Sequence, residues 1–167
     1  RNETTGGPPP MLGSTPRDLT LDDALALKRA AGVAELAPVV IGSGPVSYAN
    51  MSRDTPILGT VAQIQKIRNI RVAEGQFLPD IDPRRAAISA VLGHTLKEEI
   101  FGDKPAVGAW IRVEDRRFRV VGVLEEQGNS FDLDWNEIIL VPVATAQQLF
   151  DTQSIFRVLI SRSPGTD

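Results

Sequence analysis

The chain has 167 residues, of which 42% are hydrophobic and 23% are charged, so it can bury a hydrophobic core without a metal or disulfides. Its formal net charge of −3 and its interspersed acidic and basic residues argue against binding to a nucleic-acid backbone. The absence of cysteine excludes disulfides, thiolate metal sites and a cysteine nucleophile, and no apolar run approaches the roughly 20 residues that a membrane helix needs.

The first segment of the chain, residues 1–19, is rich in proline and glycine. The run Gly-Gly-Pro-Pro-Pro at positions 6–10 is unable to continue a helix or a central strand. We therefore predict an extended linker over residues 1–19. Because the sequence begins at Arg1 and not at methionine, we also expect a processed or excised piece of a longer protein.

The next segment is expected to hold one helix followed by three strands. Thr20 and Asp23 match a capping box, and apolar residues at helical spacing follow until Gly32, a typical helix end. The three strands are predicted over residues 33–41, 46–50 and 55–59. Pro38 places the first of them at a sheet edge or a bulge, and the run Gly-Ser-Gly-Pro at 42–45 predicts a bend after it.

The middle of the chain alternates short helices with short strands. Thr60 and Thr95 each open a capping-box pattern, which predicts one helix that ends near Asn69 and another that ends at Gly102. Strands are predicted over residues 86–92, 109–114 and 118–124, and the last two form a hairpin across the charged turn 115–117.

The last segment begins with a polar loop over residues 127–136. A buried strand is predicted over 138–143, then a short helix capped by Thr145, then a final strand over 155–161. Short helices that alternate with short strands indicate an α+β fold with βαβ-like units.

Residues suited to catalysis are few and far apart in the sequence. His94 is the only histidine and follows Gly93 at a predicted strand-to-helix turn, where a polar turn residue is the simpler interpretation. Asp80 and Asp82 lie in a loop between two prolines, where aspartate commonly forms a turn. We therefore predict no catalytic, cofactor-binding or metal-binding residues. A small hydrolase that uses Asp80, Asp82 or His94 is the alternative from another functional class.

The loop 127–136 carries three large apolar side chains among polar neighbours, at Phe131, Leu133 and Trp135. Such side chains either fold back onto the core or form an exposed patch that contacts a partner. Both interpretations stay open, and we take the three residues as candidate partner contacts.

Short motifs along most of the chain follow one another in the order typical of one family. In the middle they are Gly75-Gln-Phe77, Ala90-Val-Leu-Gly93, Glu99-Ile-Phe-Gly102, Ile111-Arg-Val113 and Val120-Val-Gly-Val-Leu124. On either side of these lie Leu19-Thr-Leu-Asp-Asp-Ala24 and Leu140-Val-Pro-Val-Ala-Thr-Ala146. From about Leu19 to Ile160, the chain resembles the periplasmic core domain of MacB-like ABC transporter permeases, a group akin to the lipoprotein-releasing permeases and FtsX.

This resemblance implies a two-lobed domain on the extracytoplasmic side of the cell membrane, inserted between the first and second of four membrane helices. One βαβ lobe would comprise residues 20–59 and 127–167, and a mixed lobe with the hairpin would comprise residues 60–126. The implied partners are the membrane helices and the ATP-binding domain or subunit of the same transporter, together with a periplasmic adaptor or a sister permease domain. ATP would be hydrolysed elsewhere, so the resemblance implies neither a catalytic residue nor a cofactor in this domain.

The function expected from this resemblance is mechanical. The domain would relay ATP-driven motion and dock partners during export or envelope processes. A module that binds the exported substrate is the second interpretation, and it requires an apolar cleft between the lobes.

Overall fold

A computed structural model describes the protein over residues 19–29, 32–127, 133–151 and 157–162. These residues form a mixed α and β fold of the class that the sequence predicts. The α-helices are α1 (Leu21–Ala26), α2 (Ile64–Arg68), α3 (His94–Phe101) and α4 (Val143–Leu149). The strands are β1 (Val33–Tyr48), β2 (Met51–Thr60), β3 (Val72–Gly75), β4 (Ser89–Leu92), β5 (Trp110–Val113), β6 (Arg116–Leu124), β7 (Ile139–Pro142) and β8 (Arg157–Arg162). Apart from Leu19, the predicted linker lies outside the described residues.

The start of α1 confirms the capping box predicted there. The Thr20 hydroxyl accepts a hydrogen bond from the backbone N–H of Asp23 at 3.1 Å, and the Asp23 carboxylate accepts one from the backbone N–H of Thr20 at 3.2 Å. A short 3₁₀ segment, Leu27–Arg29, follows the helix. These bonds satisfy backbone donors that the first helical turn leaves without an intrahelical partner.

The caps predicted at Thr60, Thr95 and Thr145 are wrong, because the three helices begin after other residues. The residues that precede the three helices are Gln63, Gly93 and Pro142, and none of them makes a side-chain capping bond. Thr60 is the last residue of β2. The backbone N–H of Thr95 donates to the carbonyl of Asn136 at 2.9 Å, which satisfies a helix-terminal donor from outside the helix. Thr145 lies inside α4, where its hydroxyl bonds to the backbone of Ala87.

The bend predicted at residues 42–45 is also wrong, because β1 runs through it. β1 and β2 form one long antiparallel hairpin where three short strands were expected. Neither Gly42 nor Gly44 has a positive φ. A Cβ atom at Gly42 would overlap the ring of Phe150, and a Cβ at Gly44 would lie 2.5 Å from a carboxylate oxygen of Glu114. These glycines therefore allow close packing within a strand and do not form a turn.

Six of the described strands close into a ring of pairings. β1 pairs antiparallel with β2, β2 parallel with β7, and β7 antiparallel with β4. β4 then pairs parallel with β6, β6 antiparallel with β5, and β5 antiparallel with β1. β3 adds to the side of β6, and β8 adds to the first half of β1. The parallel pair β4 and β6, with α3 between them in the chain, is a βαβ-like unit of the kind predicted.

The first half of β1 pairs with the end of the described chain. Val33 lies opposite Arg162 of β8, and the register shifts once, between Val33 and Glu35. Pro38 lies in this half of β1, opposite Val158, and among the described residues this half pairs on one side only. That position suits a residue without a backbone donor, so the predicted edge placement is confirmed.

The hairpin predicted in the middle of the chain is confirmed as β5 and β6. Ile111 and Val113 are buried, whereas Arg112 between them is exposed. α2 and α3 end at Asn69 and Gly102, as predicted, with Asn69 in the left-handed conformation that this residue tolerates. β3 was not predicted, because its short and largely exposed sequence shows no alternation of apolar and polar residues.

The core is built mainly from aliphatic side chains, and runs such as residues 139–141 are buried on both faces of their strand. The largest fully buried residues include Phe118, Ile57, Leu58, Leu92 and Leu140. Tyr48 stacks on Phe101 with a centroid distance of 4.1 Å, which packs α3 against β1. The division into lobes at residues 59 and 126 stays a prediction. None of the described helices is long and apolar enough to cross a membrane.

Candidate functional site

The two aspartates considered for catalysis form local contacts. The Asp80 carboxylate accepts a hydrogen bond from the side-chain amide of Gln63 at 3.2 Å. The Asp82 carboxylate accepts a bond from the backbone N–H of Arg84 at 3.0 Å, which is the Asx-turn contact expected in such a loop. Both side chains are therefore engaged in holding the loop.

His94 is the first residue of α3, and its nearest charged neighbour is on the same helix. Its Nε2 lies 3.6 Å from a carboxylate oxygen of Glu98, one turn further along. No hydrogen bond or ion pair within the described residues joins His94 to Asp80 or Asp82. Within the same part of the chain, no group of three or more His, Asp or Glu side chains is arranged to hold a metal ion. The hydrolase interpretation therefore gains no support from this part of the structure.

A cleft lies between α1, the first half of β1 and the loop that contains Asp80. Its volume is about 180 Å³, and its lining is mostly apolar. The lining residues are Leu25, Lys28, Glu35, Leu36, Pro38, Val61, Gln63, Asp80, Ile81 and Pro83. The cleft is thus bounded by segments that belong to the two predicted lobes, residues 20–59 and 60–126.

Polar contacts join the segments that border this cleft. Arg84 Nε lies 3.0 Å from a carboxylate oxygen of Asp22, which joins the loop to α1. The bond from Gln63 to Asp80 joins the same loop to the turn before α2. These groups are exposed, so each contact is worth at most about 1 kcal/mol.

The cleft is small for a ligand site. Pockets that bury small organic ligands usually measure roughly 300–1,000 Å³, whereas this one measures about 180 Å³. An apolar cleft between the predicted lobes was the requirement of the substrate-binding interpretation. The cleft exists, but its size does not favour a bulky cargo.

The three candidate partner contacts in the loop 127–136 have different surroundings. Trp135 is only 4% exposed and belongs to the hydrophobic core, and Leu133 is half-buried and packs against that core. Phe131 lies outside the described residues. Trp135 therefore folds back onto the core, the other of the two interpretations left open. A contact between this loop and a partner stays a prediction.

An exposed aromatic residue on the β5–β6 hairpin had no functional assignment from the sequence. Trp110 is 41% exposed, and the guanidinium carbons of Arg117 and Arg119 lie 4.4 and 5.3 Å from its ring centroid. From the sequence alone, these residues look like the ordinary exposed positions of strands that alternate buried and exposed residues. Counting the register outward from the turn at 114–115 would have placed them side by side.

The family is shown by comparison with known proteins. The family model described as the MacB-like periplasmic core domain matches residues 2–167. The chain belongs to this family. It is 33% identical, over 129 residues, to the macrolide export ATP-binding/permease protein MacB of Bdellovibrio bacteriovorus. That match covers 77% of this chain and 20% of the relative.

A second relative has a different named cargo. The pyoverdine export ATP-binding/permease protein PvdT of Pseudomonas syringae is 35% identical over 138 residues, which covers 81% of this chain and 21% of that protein. The chain thus spans about one fifth of the length of these relatives. Membership of the MacB-like family implies extracytoplasmic placement, and the family is a transporter domain that is not known for catalysis.

Solved structures of similar fold support the architecture. The periplasmic region of MacB from Actinobacillus actinomycetemcomitans matches with a TM-score of 0.79 at 20% identity, covering 90% of this chain and 67% of that one. The extracellular domain of YknZ, a noncanonic ABC-type transporter from Gram-positive bacteria, matches with a TM-score of 0.77 at 19% identity, covering 92% and 78%. At these identities the likeness concerns the fold alone.

Proposed function

We propose that this MacB-like domain is the extracytoplasmic part of an ABC transporter permease and relays ATP-driven motion to partner proteins during export. The observation that carries the proposal is the pairing of Val33 with Arg162, which places the start of β1 beside β8, the last described strand. A domain that is anchored by two neighbouring membrane helices requires its first and last strands to lie close together in this way.

β1 provides a rigid connection from these ends to the rest of the domain. It has 16 residues, so it extends up to about 50 Å at 3.3 Å per residue. Its first half pairs with β8, and its second half pairs with β2 and β5. A displacement applied at the ends would therefore be carried along one continuous strand to the β5–β6 hairpin.

The cleft is where we expect the two sides of the domain to move relative to each other. The segments that border it are joined by the exposed contact between Asp22 and Arg84 and by the bond between Gln63 and Asp80. Rigid-body motion between two packed units, with few contacts broken, is a common form of mechanical coupling. We therefore place the moving boundary at this cleft, between α1 and the loop that contains Asp80.

A chemical clamp across the cleft tests the proposal. These 167 residues contain no cysteine, so in a transporter whose other cysteines have been replaced, Asp22→Cys with Arg84→Cys gives a defined pair for a short cleavable bis-maleimide. In the intact transporter we expect the clamp to lower ATP hydrolysis at least about fivefold, the lower end of typical coupling between sites. Cleavage of the linker should restore the rate.

The matched control places the same cross-link inside one rigid hairpin. Ser47 and Ser52 lie opposite each other in β1 and β2, so Ser47→Cys with Ser52→Cys should leave ATP hydrolysis unchanged when cross-linked. An unchanged rate with the cleft fully clamped would contradict the relay.

A further inference from the structure

The outer face of the β5–β6 hairpin carries a cationic surface around an exposed tryptophan. We call it the arginine–tryptophan face and define it as Trp110, Arg112, Arg117 and Arg119. All four are exposed, and they alternate along the strands with buried residues of the core. The backbone of this face is held in place because the side chains on the opposite side of each strand are buried in the core.

The tryptophan ring lies between two guanidinium groups. The Arg117 guanidinium carbon lies 4.4 Å from the ring centroid of Trp110, and that of Arg119 lies 5.3 Å away. Arg119 Nε also donates to the carbonyl of Gly108 at 2.9 Å. These contacts hold both arginines in place, while guanidinium donors that they do not use face the solvent.

The positive charge of this face is not neutralised by the described part of the chain. None of its three arginines forms an ion pair with a carboxylate of the described residues. Arg112 and Arg117 lie directly opposite each other across the two strands, an arrangement of like charges that lowers stability. The whole chain has a net charge of −3, so the cluster does not reflect a generally basic surface.

The position of the face argues against lipid headgroups as its occupant, a step that rests on the proposed function. β5 pairs with β1 at Val46 and Ser47, whereas the end of β8, the last described strand, pairs with β1 at Val33. These positions are separated by up to about 40 Å along β1. If both ends enter the membrane, the face lies on the far side of the domain from the bilayer surface.

We propose that the arginine–tryptophan face docks an acidic segment of a partner protein outside the cytoplasm. Arginine and tryptophan are the residue types most enriched where binding energy concentrates in protein interfaces. A carboxylate can accept paired hydrogen bonds from a guanidinium that is already oriented, and an apolar side chain can pack on the exposed edge of Trp110. Binding would also relieve the repulsion between Arg112 and Arg117.

Peptide binding to the 167-residue chain tests the proposal directly. The probe is a short fluorescein-labelled peptide of glutamate, aspartate, phenylalanine and serine, and its control has glutamine and asparagine in place of the acids. We expect saturable binding of the acidic peptide only, weakened at high salt because exposed charges are screened. The variant Arg112→Gln/Arg117→Gln/Arg119→Gln should bind at least about 10-fold more weakly, in keeping with the loss of charged hydrogen bonds.

The control variant removes the same charge elsewhere. Arg29, Arg71 and Arg85 are exposed and lie outside the hairpin, so Arg29→Gln/Arg71→Gln/Arg85→Gln should change the affinity less than about twofold. Circular dichroism and thermal unfolding establish that both variants fold. If the hairpin variant does not fold, Arg117→Gln alone replaces it, with an expected loss of about threefold or more.

Three results would overturn the proposal: equal weakening in both triple variants, equal binding of the acidic and neutral peptides, or no saturable binding of the acidic peptide. Preferential binding to phosphatidylcholine vesicles that contain phosphatidylglycerol, over pure phosphatidylcholine vesicles and over the peptide, would assign the face to lipid and would equally contradict it. The assay needs neither ATP nor transport. A failed clamp experiment would therefore leave peptide binding intact, and failed peptide binding would leave the relay intact.

Discussion

Two buried threonines differ in what their hydroxyl groups contact. The Thr145 hydroxyl donates to the carbonyl of Ala87 at 2.7 Å and accepts from its backbone N–H at 2.8 Å. It thereby ties α4 to the segment before β4. The Thr60 hydroxyl is buried and has no hydrogen-bond partner among the described residues. The same chemical change at the two sites therefore has opposite consequences.

We predict that Thr145→Val lowers the free energy of unfolding by about 1–3 kcal/mol, because it leaves two backbone groups of Ala87 without their partner. Thr60→Val keeps the side-chain volume and removes an unpaired hydroxyl, so it should leave stability unchanged or raise it by up to about 1 kcal/mol. Urea unfolding of both variants measures the difference. Equal losses of stability at the two sites would show that the bonds between Thr145 and Ala87 make no specific contribution.

At the scale of secondary-structure elements, α4 packs against β2 without space for a side chain at Gly59. A Cβ atom at Gly59 would overlap the Cβ of Ala146. Gly59 is opposite Val141 in the parallel pair of β2 and β7, so the contact connects the helix with two strands of the ring. The close approach depends on one small residue in the strand and one in the helix.

We predict that Gly59→Ala destabilises the protein by about 1–3 kcal/mol through overpacking. Ala146→Gly alone should cost about 1 kcal/mol from helix propensity. Combined, the two changes move a methyl group from helix to strand, and the double variant should be at least about 1 kcal/mol more stable than the sum of the single effects. Thermal unfolding of the three variants completes the cycle.

The control cycle pairs Gly59→Ala with Ala26→Gly. Ala26 is the exposed last residue of α1, and its effect should simply add to that of Gly59→Ala. Recovery by Ala26→Gly as large as by Ala146→Gly would refute a direct contact between the helix and the strand.

The elements that sequence predicts well are those determined by neighbours in the chain. The capping box at Thr20 and the helix ends at Asn69 and Gly102 depend on residues a few positions apart. The glycines of β1 do not, because Gly42 makes room for Phe150, more than a hundred positions later. Thr145 likewise fits a cap by pattern, yet its hydroxyl is used by a distant backbone.

The candidate surfaces show the same division. Asp80 was singled out from the sequence and does line the cleft, but its hydrogen bond there depends on Gln63. Trp135 could be described as either core or contact, and only the packing distinguishes the two. The charges on β5 and β6 follow an ordinary solvent-facing alternation. Their convergence on Trp110 becomes visible only when the hairpin register is known.

At the scale of the whole molecule, we expect the closed ring of strands to stay rigid and the cleft to allow motion. The ring, formed by β1, β2, β7, β4, β6 and β5, has every member paired on both sides within the described residues. Such a ring resists deformation, so we expect motion at the cleft beside α1 and not within the ring. Motion would then reach the arginine–tryptophan face as a shift of the whole ring.

We expect motion at the cleft to change a distance that spin labels can measure in the intact transporter. Ala26 at the end of α1 and Asp103 after α3 are exposed, so Ala26→Cys with Asp103→Cys, in an otherwise cysteine-free transporter, reports on the position of α1 against the middle segment. The control pair, Asp103→Cys with Arg112→Cys, lies wholly within residues 60–126. Double electron–electron resonance is recorded without nucleotide and after trapping with ATP and vanadate.

If the domain relays the ATP cycle as a rigid-body shift, the distance distribution of the first pair moves by several ångströms on trapping, whereas that of the control pair stays the same. Unchanged distributions for both pairs, in a transporter that hydrolyses ATP normally, would contradict the relay.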